Sequence, residues 1–240
     1  MMRETTLVIP CMINHFFPHL GEKWVKIMEY LGYKVIIHEN QTCCGYPYIQ
    51  NGEMENAKKV AEKFLYDFQT GRHEHKTLMC SSVCFSSVNK IYPKLFHNSV
   101  SHNLCQKVIE NIAHFYGQLG SRKIKIVPKE KMLLVLDCMS DHSQIEAITG
   151  FNDTDSNWVL MHKGYFCCGA NNALALNNVE ESKFRIQSIL DFAKEKEVKV
   201  IVFSDDNCLL HGFQNISTNN SKIKIAHLID ILYDQITEKN

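Results

Sequence analysis

Apolar residues along the first half of the chain fall into short unbroken runs, separated by longer stretches in which they recur every three or four positions. Residues 6–10 (Thr-Leu-Val-Ile-Pro) read as a strand, and residues 18–31 as a helix with Leu20, Trp24, Ile27, Met28 and Leu31 on one face. Gly32 ends that helix. A second strand over 34–38 leads to Gln41-Thr-Cys-Cys-Gly45, and a helix over 53–68 carries a stripe of Ala57, Val60, Ala61, Phe64, Leu65 and Phe68. A third strand covers 77–80. The second half repeats the order. A strand over 132–136 is followed by a loop, a strand over 158–161, Cys167-Cys-Gly169, a helix over 179–194 and a strand over 199–203. Strands that alternate with helices imply parallel sheet.

The repeat is numerical as well as qualitative. Cys44 and Cys84 stand 40 positions apart, as do Cys168 and Cys208, and both members of the second pair lie 124 positions beyond the first. Val35 maps to Val159 and Leu78 to Val202 by the same offset, and a C-terminal helix over 228–236 maps onto a predicted helix over 104–112. Cys11 to Cys138 is 127, which implies that the second half is three residues shorter before its CysCysGly. A fixed-period self-similarity of this kind decides architecture. The expectation is an α/β protein of two related parallel-sheet units, 1–122 and 123–240, in pseudo-twofold arrangement with their cysteine sets near the interface. The basic stretch 121–131 reads as a solvated linker.

Composition narrows the class. Lys+Arg 26 balances Asp+Glu 26, which removes the basic field that nucleic acid or an anionic membrane would need, and 45% apolar residues supply a core. Ten cysteines in 240 residues fall well below the ~8–10% of a disulfide-stapled secreted scaffold. The uncharged run 5–21 is broken by Pro10, Asn14, His15, Pro18 and His19 and lacks a basic region before it, so neither a signal peptide nor a transmembrane segment is expected. A reducing, cytoplasmic setting follows, where clustered cysteines mean metal or redox chemistry.

Each half sets one cysteine after its first strand, an adjacent pair after its second and another past its third. In a parallel sheet these are carboxyl-end positions, where open α/β folds bind ligands. The two sets are Cys11, Cys43, Cys44 and Cys84, and Cys138, Cys167, Cys168 and Cys208. Thiolates in fours select zinc, Cu(I) or an iron-sulfur cluster. Neighbouring residues in extended backbone point apart, so adjacent cysteines suit a cluster with several metal corners better than one small ion. Gly45 and Gly169 allow the backbone to approach bulky inorganic sulfur. Eight buried cysteines acting only as small hydrophobes would not explain two sets in one register.

Cys-x31-CysCysGly followed by a distant cysteine, occurring twice, resembles the CCG cysteine-rich domain found in heterodisulfide reductase and in the glycolate-oxidase iron-sulfur subunit. The resemblance is greatest to the lactate-utilisation protein A branch. It runs through Ile9-Pro-Cys11, Phe16-Phe-Pro18, Gly21, Glu29-Tyr-Leu-Gly32, Gln41-Thr-Cys-Cys-Gly45-Tyr-Pro47 and Asn51-Gly52, then Cys167-Cys-Gly169, Asp206-Asn-Cys208-Leu and His227-Leu-Ile-Asp-Ile-Leu232. The resemblance implies one or two 4Fe-4S-type iron-sulfur clusters held by the two sets, with zinc an alternative in one half. It also implies an electron-transfer role beside the other subunits of an L-lactate-oxidising complex and its electron donor and acceptor proteins. The family motif ends in Cys-x2-Cys, whereas here Cys80 and Cys84 are separated by three residues and Cys208 is followed by His211. Cys80 is therefore a candidate fifth cofactor ligand in the first half, and His211 a candidate in the second, since Cys-x2-His has metal-ligand spacing. Under the offset Cys80 maps to Ser204 and His211 to Ser87. The family's Ser-Cys-His is Asp137-Cys138-Met139 here, and its Gly-rich segment after CysCysGly is Ala170-Asn-Asn172.

Other readings are weaker. A thiol/disulfide redox subunit of heterodisulfide-reductase type and a zinc-stabilised interaction module are the alternatives to electron transfer. A Cys/His/Asp hydrolase built on Cys84 or Cys208 with His142 or His227 would not need eight cysteines in two registers. Cys105 has no counterpart and reads as a core cysteine, and no glycine-rich nucleotide loop is present. Tyr46 and Tyr48 could shield a cluster from water.

Overall fold

The computed structural model describes residues 3–37, 41–70, 77–96, 109–110, 119, 124–139, 142–150, 156–161, 167–170, 172–216 and 222–238. The chain divides into two compact units, Met1–Ile112 and Ala113–Asn240.

In the first unit, β1 (Arg3–Val8) is followed by a short α1 (Cys11–Phe16), α2 (Pro18–Tyr30), β2 (Tyr33–Ile37), a one-turn α3 (Tyr46–Gln50) and α4 (Met54–Thr70). Then come β3 (Thr77–Met79), α5 (Ser82–Ser86), a π-helical turn over Ser87–Ile91, α6 (Tyr92–Leu95) and a two-residue β4 (Ile109–Glu110). All four strands are parallel, in the order β2-β1-β3-β4. Pro18 starts α2, where its fixed φ suits a first helical turn and no N–H is needed. The predicted face Leu20, Trp24, Ile27 and Met28 is buried, with Leu31 beside it. From α4, Ala57, Ala61, Phe64 and Leu65 are buried, the last three in a cluster with Val8, Met79, Val88, Tyr92 and Phe96.

The second unit repeats the plan. β5 (Met132–Val135), α7 (His142–Thr149), β6 (Trp158–Leu160), α8 (Asn172–Asn177), α9 (Val179–Glu195), β7 (Val200–Phe203), α10 (Asp206–Ile216), β8 (Lys224–His227) and α11 (Leu228–Thr237) follow in order. The strands are again all parallel, in the order β6-β5-β7-β8. β5 and β7 are buried along their whole length, as expected of central strands covered on both faces. Register bears out the internal repeat between the first and third strands of each unit, where Leu78 pairs with Leu7 as Val202 pairs with Leu134, an offset of 127 in the first strand. Against the second strand the register shifts by one residue, since Val35 pairs with Thr5 and Val159 with Leu133. The α/β reading with two related parallel sheets therefore holds.

Two features differ from expectation. Ile109 and Glu110 are a strand on the open edge of β3, within the stretch read as a helix matching 228–236. Their topological counterpart is β8, because each sheet extends by one more strand beyond its third; the remainder of 104–112, Cys105 included, lies outside the described residues, as does His38 at the end of the second predicted strand. The stretch after β5 read as loop contains α7, which turns Ile145 and Ile148 inward. Among the described residues no helix is long and apolar enough to cross a membrane.

Candidate functional site

The order β2-β1-β3 places two chain reversals of opposite sense at the carboxyl edge of β1. This is the switch point at which open α/β sheets take their ligands. All the predicted cysteines leave the sheets from that edge. In the first unit β1 ends at Val8 and Cys11 opens α1, exposed to solvent. The loop after β2 is tied to β1 by one side chain: Gln41 Oε1 accepts the Ile9 N–H at 2.8 Å and Gln41 Nε2 donates to Leu7 C=O at 3.3 Å. That clamp continues the sheet pairing past the last residue of β2 and sets Cys43 and Cys44 beside Cys11. On the other side, Cys80 N–H donates to Val8 C=O at 3.4 Å and leads into α5, which carries Cys84.

The four thiols then form a chain. Cys43 is hydrogen-bonded to Cys11 and to Cys44, and Cys44 Sγ donates to Cys84 Sγ at 3.1 Å. Gly45 takes φ +73°, a conformation that admits α3 immediately after the pair and turns its N–H onto Cys43 Sγ at 3.4 Å. The hydrogen bonds from Cys11 and Cys44, helped by the Gly45 N–H, pull the Cys43 thiol down to about 3 against the opposing effect of burial. Cys44 moves the other way, raised by its contacts with Cys43 and Cys84 and by burial. Its carbonyl accepts the buried Tyr92 hydroxyl at 2.9 Å. Tyr92 itself stands edge-on to Phe64 and Phe96.

The second unit builds the same chain with other braces. Cys167 is hydrogen-bonded to Cys138 and Cys168, and Cys168 Sγ donates to Cys208 Sγ at 2.8 Å. Gly169, at φ +90°, aims its N–H at Cys167 Sγ at 3.5 Å. The Cys138 and Cys168 hydrogen bonds bring the Cys167 thiol down to about 2, while Cys138 is raised by its bond to Cys167, by burial and by the charges of Cys167, Cys208 and Asp137. For Cys208 the largest influence, the bond from Cys168, lowers the pKa. Burial and the charges of Asp205, Asp137 and Cys167 outweigh it and push the thiol up to about 11. At the equivalent of Cys80, Ser204 N–H donates to Val135 C=O, and Ser204 Oγ accepts the Asp137 N–H at 2.9 Å and donates to Asp137 Oδ2 at 3.1 Å.

The structure therefore brings the two sets of four together within each unit, by a run of sulfur-to-sulfur hydrogen bonds. Among the described residues no three His, Cys, Asp or Glu side chains converge as ligands of a single metal ion. Among the described residues the nine cysteines, Cys80 included, form no disulfide. His211 is placed in a hydrogen-bond pair: Nε2 lies 3.2 Å from Ser182 Oγ and 3.4 Å from Ser182 C=O, and Nδ1 lies 3.2 Å from Asn215 Nδ2. Burial lowers the pKa of His211, so it braces α9 against α10 as a neutral ring. Tyr46 packs against the apolar cluster below Cys44, and Tyr48 faces outward.

Sequence reasoning missed Gln41 as a clamp and Ser182 as the residue linking Gly169 to His211 through its 2.8 Å bond to Gly169 C=O. It also missed Tyr92. A signal existed for Ser182, a hydroxyl on the face that otherwise carries Ile186, Ile189 and Ala193. A cavity of about 850 Å³ opens beside the first set, lined by Cys11 and Cys43 together with Ile9, Val25, Lys26 and Gln41.

The chain is similar along nearly its whole length to lactate utilization protein A 2 of Bacillus cereus (strain Q1), at 22% identity over 95% of this chain and 97% of that protein. It is similar to lactate utilization protein A of Bacillus velezensis at 20% identity over 95% and 98%. Among solved structures, an aspartate racemase homologue from Pyrococcus horikoshii OT3 aligns over 100% of this chain and 99% of its own, with 12% identity and a TM-score of 0.37, a level that carries no argument. The family described as cysteine-rich domain, CCG, matches residues 5–89 and 152–211, more than half of the chain and both CysCysGly motifs. With the doubled thiol chains at equivalent sheet edges, this match makes the protein a member of the CCG cysteine-rich domain family.

Proposed function

We propose that this protein is the electron-carrying iron-sulfur subunit of a multi-protein lactate-oxidising system, with one CCG domain in each of 1–122 and 123–240. The observation that carries the reading is the repeated four-thiol chain: Cys11, Cys43, Cys44 and Cys84 in one unit, Cys138, Cys167, Cys168 and Cys208 in the other. Soft donors in fours fit an iron-sulfur group, and each set already contains one thiol held ionised, Cys43 or Cys167, as a ligand must be. Gly45 and Gly169 leave the backbone beside the thiols without a Cβ. Cys80, the residue after β3 and four before Cys84, would add a fifth donor to the first set, where the second has Ser204. A cluster of 4Fe-4S type in one or both sets would supply one-electron redox chemistry. Cys11, Cys43, Cys44 and Cys84, or Cys138, Cys167, Cys168 and Cys208, would hold it, with Cys43 and Cys167 already ionised. The relatives' names support lactate as the source of the electrons, and oxidation of L-lactate to pyruvate, with release of two electrons and two protons, would then belong to partner subunits.

The test is iron and acid-labile sulfide analysis with an absorbance spectrum on protein purified without oxygen, beside Cys43→Ala and Cys167→Ala variants. Iron with sulfide, lowered in one or both variants, is the expected result. Zinc alone, or no metal, overturns the reading. A second reading, thiol/disulfide redox chemistry, draws on the cavity that meets Cys11 and the Cys43 thiolate. Steady turnover of a low-molecular-weight disulfide by the isolated protein, abolished in Cys43→Ala, would favour it.

A further inference from the structure

The repeat gives each unit an internal control for the other, and one difference between them is electrostatic. The register of β1 against β3 and of β5 against β7 makes Pro10 the counterpart of Asp137, and the offset of 124 makes Cys80, Ser81 and Ser82 the counterparts of Ser204, Asp205 and Asp206. The second unit thus carries three acids where the first carries a proline and two serines. All three are enclosed: Asp137 is 3% exposed, Asp205 2% and Asp206 1%. Each sits within three residues of a cysteine of the second set, Asp137 beside Cys138 and the other two just before Cys208.

Local structure does not require acids at these places. Asp205 Oδ1 accepts the Asn207 N–H at 3.0 Å at the start of α10, yet α5 starts at the matching place with Ser81, whose side chain makes no capping bond. Asp137 Oδ1 accepts the Met139 N–H at 2.9 Å, a bond that an asparagine oxygen could equally accept. Arg185 lowers the Cys167 thiol but is half-exposed and paired with Glu181 at 2.7 Å. Charges near the first set, Lys26 and Glu22 and Glu29 at the cavity, are exposed on α2 and screened by water.

We infer that Asp137 and Asp205 make the second cysteine set the lower-potential of the two, a conclusion that rests on the iron-sulfur reading above. Adding an electron makes a thiolate-held group one unit more negative. Fixed carboxylates enclosed with it disfavour that form, whereas the first set has no such carboxylates at the matching positions. These aspartates are positioning and tuning residues and touch no substrate.

The experiment is an EPR-monitored redox titration of the full chain purified without oxygen, preceded by iron and sulfide analysis. It includes Cys43→Ala, which leaves the second set intact, and Cys167→Ala, which leaves the first. The expected result is two midpoints, the lower one missing from Cys167→Ala. Asp137→Asn and Asp205→Asn should raise that lower midpoint without moving the higher, at unchanged iron content and far-UV circular dichroism. Ser81→Asp should lower the higher one. The inference is overturned if the lower midpoint is the one missing from Cys43→Ala, or if loaded, folded Asn variants leave both midpoints in place; the iron-sulfur reading survives either result. Lack of iron and sulfide in Cys43→Ala removes that reading for the second unit, and the inference with it, before any potential is measured.

Discussion

Substituting alanine for Gly169 and, separately, for Gly45 separates two costs that these glycines share in sequence but not in space. Both sit just after a cysteine pair at positive φ, +90° and +73°, where an L-residue costs about 1–2 kcal/mol. At Gly45 an added Cβ would meet Val60 Cγ1 at 3.4 Å and Ala57 O at 3.5 Å, ordinary contacts, so Gly45→Ala should cost about 1–2 kcal/mol and no more. At Gly169 the same atom would stand 2.8 Å from Ser182 O and 3.1 Å from Ser182 Cα, backbone of α9 that cannot rotate away. Moving α9 adds an overpacking cost of about 1–3 kcal/mol, and the displaced Ser182 hydroxyl loses its bond to Gly169 C=O, about 1 kcal/mol more. Gly169→Ala should therefore exceed Gly45→Ala by about 2 kcal/mol or more, a factor of roughly thirty in the local folding equilibrium. Because two units can unfold separately, hydrogen exchange read amide by amide in α4 and α9 is the suitable assay. Equal losses of protection in the two variants, or a larger loss for Gly45→Ala, would refute the packing argument.

Three other outcomes are expected. Tyr92→Phe keeps the edge-on contacts with Phe64 and Phe96 but leaves the Cys44 carbonyl buried without its donor, so urea denaturation should show a loss of about 1–3 kcal/mol in the first unit. Metal-free protein treated with iodoacetamide at pH 6 should be labelled at Cys43 and Cys167 before Cys138, although Cys138 is the more exposed, because only the first two are thiolates there; mass mapping that follows exposure instead would contradict this. Burial lowers the His211 pKa, so below the unfolded value of about 6.5 the unfolded chain binds more protons, and second-unit stability should fall as the pH drops from 7 toward 5.5; His211→Gln should flatten that slope in thermal scans.

The central strands β1, β3, β5 and β7 were legible because buried parallel strands are continuous apolar runs, the half-exposed β2 and β6 because their residues are still mostly consecutive apolar ones, and α2 and α4 because four or more inward residues recur at helical spacing. The elements that were not legible have little to bury. α1 turns only Ile13 inward, so six residues show no period. β8 is an edge strand of four residues beginning with Lys224, half-exposed at two positions, and β4 has two residues. Such strands are fixed by the hydrogen-bonding edge they complete, which lies far away in sequence. The cysteines were legible as a register because their spacing repeats. The groups that hold them were not, since Gln41, Tyr92 and Ser182 act 34, 48 and 13 residues from the atoms they bond.

Those braces bear on what the repeat preserves. The first unit fixes its pair with the Gln41 clamp above and the Tyr92 hydroxyl below; the second uses the Ser204–Asp137 bonds and the Ser182–His211 link. By the offset of 124 the counterparts of Gln41 and Tyr92 are Tyr165 and Ile216, and those of Ser182, Ser204 and His211 are Lys58, Cys80 and Ser87, so the bracing side chains are not repeated in sequence. The thiols nevertheless end in the same sequence of contacts, from the first cysteine to the pair and from the pair to the helix after the third strand, closing at 3.1 Å and 2.8 Å. If packing alone governed these segments, changed braces would carry the cysteines to changed places. Different supports that converge on one arrangement of sulfur argue that the arrangement is what each unit is built to hold, and that the surroundings, neutral in one unit and acidic in the other, are where the two have been free to diverge.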